Sequence, residues 1–172
     1  MPRLVGANWF SVPGIAPQTF AASPTDWITL TPTSSRVVGI TNVLFFGTCP
    51  TPTTIDILLL KRSALNTGGT STSVAATPTD EVPTGLSTNA SVLVYTANPS
   101  ILGTLVGVAA APLKLNLGPP GAAGFVSIPF GTGIVPALKL RSVNHQFAIN
   151  LGGVSLPTGA LISCRIEEYE EQ

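Results

Sequence analysis

His145 is the single histidine in this chain of 172 residues, and imidazole is the side chain that carries protons most readily at neutral pH. Hydrolytic chemistry of the Ser/His/Asp kind would have to pass through it. The residues around it do not complete such a set: Gly-x-Ser-x-Gly is absent, and no Asp or Glu lies near His145 in sequence. By strand phase His145 falls on the side of Phe147 and Ile149, which makes it a strand-end residue half in the core. Cys49 and Cys164 could join it as a three-ligand zinc centre, but no two of these ligands are closely spaced. The stretch NTGGTSTSV, Asn66–Val74, looks like a phosphate cradle; it lacks the Gly-Lys-Ser/Thr ending and precedes a strand instead of a helix, so it reads as a hairpin tip. Paired carboxylates would have to come from Asp26, Asp56, Asp80, Glu81 or the C-terminal acidic run. Asp80 and Glu81 are neighbours in a proline-flanked loop, and the most they offer is a weak calcium site. No catalytic residue, metal or cofactor is assigned, and the chain is read as a non-enzyme.

The elements that would have to position any site are β-strands. Gly and Pro, 17 and 16 in number, fall between short runs of Val, Ile, Leu, Thr and Phe, and no helical periodicity survives a proline. Strands are expected at Asp26–Thr31, Arg36–Phe46, Thr54–Arg62, Thr72–Thr77 and Ser91–Thr96. Leu113, Leu115 and Leu117 alternate with Lys114 and Asn116, and the same period of two marks Val126–Phe130, Leu138–Arg141, Phe147–Leu151 and Ile162–Glu167. About ten short strands at this spacing predict an all-β fold, a jelly-roll-like two-sheet β-sandwich. Residues 24–172 form its single domain. Residues 1–23 are rich in Pro and Gly yet hold Trp9, Phe10, Ile15 and Phe20, so they are read as an extended N-terminal arm whose aromatic anchors bind a neighbouring subunit or partner, or pack back on their own sandwich. The loops Ser63–Ser73 and Pro78–Ala90 read as exposed tips, and the Glu167–Glu171 run as a solvated end.

Composition narrows the function. Charged residues make up 9% of the chain, against about 25% in an ordinary soluble domain, and the formal net charge is zero. A nucleic-acid role is excluded because the eight Lys and Arg are scattered and form no basic run. Mean hydropathy is +0.44, but the best spanning candidate, Ile101–Leu117, is short and is interrupted by Pro112 and Lys114, so no membrane role is expected. No signal peptide is expected either, since Asn8, Trp9, Pro13 and Pro17 follow Arg3 before an apolar core can form. In a reducing cytosol Cys49 and Cys164 read as buried thiols. A neutral surface rich in Thr and Ser favours association with other surfaces, which points to a subunit of an assembly.

The succession LLLKRSALNTGGTSTSVAATPTDEVPTG, VYTANPSILGTLVG, GPPGAAGFVSIPFG and FAINLGGVSLPTGALISCRIEEYEE resembles a group of small virion proteins of tailed bacteriophages, encoded among head genes and labelled decoration, cement or head-fibre proteins. The resemblance spans Arg36–Glu171, and its most telling parts are Lys61-Arg62 leading into NTGGTST, the Tyr95–Pro99 turn, and the closing NLGGV. It carries no catalytic residues. It implies a jelly-roll subunit, often a homotrimer, made in the host cytoplasm and seated on the capsid surface, where it clamps the phage major capsid protein. The rival expectation from another class is a minor tail or receptor-binding protein whose sandwich recognises a cell-surface glycan; the long loops lack the exposed aromatics that would favour it.

Overall fold

The computed structural model describes residues 7–15, 22–78, 88–131 and 138–171, with the backbone alone described at 7–15 and 109–112. Its strands are β1 (Ala7–Ile15), β2 (Asp26–Pro32), β3 (Val38–Thr48), β4 (Thr53–Arg62), β5 (Thr70–Val74), β6 (Thr77–Pro78), β7 (Ala90–Ala97), β8 (Leu105–Leu117), β9 (Gly124–Pro129), β10 (Leu138–Leu140), β11 (Gln146–Asn150) and β12 (Leu161–Glu171). Among the described residues there is no helix, and so none long and apolar enough to cross a membrane.

The strands form two antiparallel sheets packed as a β-sandwich. One runs β10-β3-β12-β1-β6, with β9 also pairing β3, and the other runs β5-β7-β2-β11-β4-β8. Early and late strands pair with each other, β2 with β11 and β3 with β12, so the fold closes only when both ends of the chain are present. Between the sheets lie the alternate residues that the period of two picks out: Ile28 and Leu30 of β2, Val43 and Phe45 of β3, Phe147 and Ile149 of β11, Ile162 and Ile166 of β12. Cys49 and Cys164 sit buried among them as free thiols, and burial pushes the Cys164 thiol well up.

Four sequence expectations change. The Glu167–Glu171 run is no solvated end: it completes β12, and Glu168 and Glu170 are wholly buried because they continue the inward phase of Ile162, Cys164 and Ile166. The expected strand Thr72–Thr77 divides into β5 and β6, which belong to opposite sheets, so the chain crosses the sandwich between them. Strand β8 begins at Leu105, eight residues before the alternation at Leu113 becomes visible, because its first half follows β4 through irregular pairing. The fourth is the Asn66–Val74 stretch, which is no hairpin tip: β4 pairs with β11 and β8 while β5 pairs with β7, so the segment between them travels over the sheet instead of folding back on itself.

Candidate interaction surface

Strands β2 and β11 lie at the centre of their sheet and are buried on both faces. Their outward residues, Asp26, Thr29, Gln146, Ala148 and Asn150, are covered by the segments 63–69 and 98–104, and a polar network joins strands to cover. Arg62 grips Asp26 with Nε donating to Oδ2 at 2.7 Å and Nη2 to Oδ1 at 2.9 Å. Asn150 Nδ2 donates to Oδ1 and Asn66 Nδ2 to Oδ2, each at 2.7 Å, so both carboxylate oxygens receive two donors. The network then ties down the cover: Arg62 Nη1 donates to the Gly103 carbonyl at 2.7 Å, and the Gly103 N–H donates to Asn66 Oδ1 at 2.8 Å. Gln146 completes it, accepting the Asn66 N–H at 3.2 Å and donating to Thr31 Oγ1. Tyr95 is buried beside this cluster, and desolvation raises its phenol further above the neutral range.

Gly103 is required where the two covering segments meet. A Cβ there would stand 1.8 Å from the Ala64 carbonyl oxygen, so the segments could not close with any other residue. Six apolar side chains here face solvent, Leu65, Ile101 and Leu102 on the cover and Leu105, Val106 and Val108 at the start of β8, with Ile101 exposed by 66% and Val106 by 60%. Residues 99–113 carry no charge at all. Irregular pairing explains why consecutive residues are exposed: from Leu59↔Ala110 to Leu60↔Val108, and again from Lys61↔Gly107 to Arg62↔Leu105, β8 advances two residues while β4 advances one. These bulges break the strict alternation that would have turned every second side chain inward. The result is an uncharged apolar platform that adjoins, at Gly103, the buried Asp26 network.

The residues singled out from sequence fall elsewhere. The backbone of Trp9, Phe10 and Ile15 belongs to β1, which pairs with β12 (Trp9↔Tyr169, Phe10↔Glu168, Ile15↔Cys164) and with β6 of its own sheet. Phe20 lies outside the described residues, as do Asp80 and Glu81. His145 is half-buried in the turn before β11, where its Nδ1 accepts the Arg141 N–H at 3.3 Å. The Ser63–Ser73 loop is exposed at Gly68 and Gly69, both at positive φ, but Asn66 is buried in the Asp26 network. Sequence reasoning missed the platform. Its signal lies in the uncharged stretch around Ile101–Val108, whose apolar character the sequence alone relates to a membrane span and not to an exposed surface.

A second feature is a groove of about 430 Å³ between β4 and the 151–157 turn. Thr53, Thr54, Asp56 and Ser155 line it beside Leu58 and Leu156, and Asp56 is held by Lys114 at 2.6 Å. No group of three or more metal-ligating side chains occurs among the described residues. No protein-family model, curated protein or solved structure matches this chain.

Proposed function

We propose that this chain is a structural virion protein, a jelly-roll subunit that binds the outer surface of a phage capsid and stabilises the assembled shell by bridging major capsid proteins. The observation that carries the reading is the platform of Leu65, Ile101, Leu102, Leu105, Val106 and Val108, exposed, uncharged and adjoining the Asp26 network at Gly103. A surface already ordered before contact loses little conformational entropy on binding, which is what a clamp needs. A subunit that contacts two capsid proteins only in their assembled arrangement stabilises that arrangement by its differential affinity, and several such contacts in one homotrimer add through effective concentration. The docking contact is assigned to the platform in preference to Trp9, Phe10 and Ile15, whose backbone is engaged by β12.

The test is a cryo-EM map of particles from the virus that carries the gene, with and without the chain. Density on the shell with the platform against capsid protein is the expected result. Density on the tail would overturn the reading in favour of a receptor-binding protein, for which the groove lined by Thr53, Asp56 and Ser155 has the volume and polar wall to hold a sugar.

A further inference from the structure

We propose that Glu168, Thr88 and Glu170 form a proton-locked clasp that fastens the C-terminal strand to the start of β7 and opens when its proton is lost. The geometry allows few arrangements of hydrogen. Thr88 Oγ1 lies 3.1 Å from Glu170 Oε1 and 3.3 Å from Glu168 Oε1, and it accepts the Ala90 N–H at 3.0 Å. A threonine hydroxyl has one proton, so it can donate to one carboxyl only. Glu170 is the better acceptor, since it also takes the Asn89 N–H and, at 2.7 Å, Asn89 Nδ2. It therefore holds the negative charge. The contact at Glu168 then needs a proton of its own: Glu168 Oε1–H donates to Thr88 Oγ1, and Thr88 Oγ1–H donates to Glu170. One chain of hydrogen bonds runs from β12 through Thr88 and back to β12.

The surroundings favour the neutral form of Glu168. Both carboxyls are wholly buried, and Glu168 Oε2 has no partner among the described residues. Desolvation first, and the Glu170 charge second, raise the Glu168 pKa to about 8. The register neighbours of Glu168 are Phe10 of β1 and Ile40 of β3, and those of Glu170 are Asn8 and Val38, none of which ionises in this range. The flanking charges are spent elsewhere: Glu171 receives Lys139 Nζ at 2.5 Å, and Glu167 meets Arg165 at 3.5 Å and Asn42 Nδ2 at 3.4 Å. With no described cation against it, loss of the proton leaves two carboxylates facing one hydroxyl, and the repulsion parts Thr88–Ala90 from β12.

Side-chain ¹³C NMR of the full chain, with Glu168 assigned by comparison with Glu168→Gln, reads the clasp directly. Glu168 is expected to titrate near pH 8, more than three units above an ordinary glutamate, with the Thr88 and Asn89 amide signals shifting in the same step. Glu168→Gln keeps a donor toward Thr88 and is expected to abolish that step while leaving the fold intact. A wild-type Glu168 midpoint below about pH 5.5 would overturn the proposal whether or not the variant folds; so would persistence of the Thr88 and Asn89 step in a folded Glu168→Gln protein.

Discussion

Arg62 and Asp26 meet in a two-pronged ion pair, Nε to Oδ2 at 2.7 Å and Nη2 to Oδ1 at 2.9 Å, with the Asp26 side chain wholly buried and that of Arg62 at 6% exposure. A buried pair contributes little net stability compared with apolar residues of the same volume, but removing one partner strands the other charge. Here the pair has a further consequence, because the same guanidinium holds the Gly103 carbonyl and so the seat of the apolar platform.

Asp26→Ala is therefore expected to cost about 3–5 kcal/mol in urea unfolding, since it leaves Arg62 buried without a counter-charge. Replacing both residues together, as Asp26→Leu with Arg62→Met, is expected to recover only part of that stability, because it removes the stranded charge but leaves Asn66 Nδ2, Asn150 Nδ2 and the Gly103 carbonyl without partners. The double variant should still bind its target more weakly, because Gly103 and Asn66 lose their partners.

Gly103→Ala tests the platform by shape alone. Its new Cβ would fall 1.8 Å from a backbone oxygen, so segments 63–69 and 98–104 must separate. A loss of about 1–3 kcal/mol in thermal unfolding is expected. Amide exchange should quicken at Asn66 and Gly103 while the core strands β2 and β11 keep their protection.

Val106→Lys with Val108→Lys separates binding from folding. Both side chains are exposed, so stability should change by no more than about 0.5 kcal/mol, whereas occupancy on undecorated particles should fall at least tenfold. Full occupancy by the folded double variant would move the contact away from β8.

Stability should peak in mildly acidic solution. Glu168 has its folded pKa raised from 4.5 to about 8, so its contribution is complete below pH 4.5 and is lost as pH rises toward 8, at roughly 1.4 kcal/mol per pH unit. Glu171 acts in the opposite sense: the Lys139 ammonium lowers its pKa, so its contribution is present above 4.5 and fades as pH falls. Melting curves between pH 4 and 9 should show a maximum near pH 5 in the wild type and a flatter alkaline side in Glu168→Gln.

Removing residues 1–15 should lower the melting temperature as well as any binding. Ala7–Ile15 pairs with β12 from Glu171 to Cys164, and its loss leaves that strand without a neighbour on one side. An unchanged melting temperature would return those residues to the role of a free arm.

What the sequence determined by itself was the β class, the two-sheet sandwich and the position of most strands, because side-chain alternation is a property of adjacent residues and needs no partner to be visible. It did not place β1, the division between β5 and β6, or the first half of β8. Leu113–Leu117 and Phe147–Leu151 announce their inward faces within five residues. The same rule, carried two steps past Ile166, would have placed Glu168 and Glu170 inside; the run of like charges concealed it, since carboxylates enter a core only when donors or a proton await them. Only the tertiary structure decided the rest. Asp26 meets Arg62, Asn66 and Asn150 across 36, 40 and 124 residues of chain. Local pattern holds no record of such meetings, for they depend on which strands become neighbours. The exposure of Leu105, Val106 and Val108 has the same origin: it follows from how β8 slips against β4, a property of the pair of strands and of neither one alone.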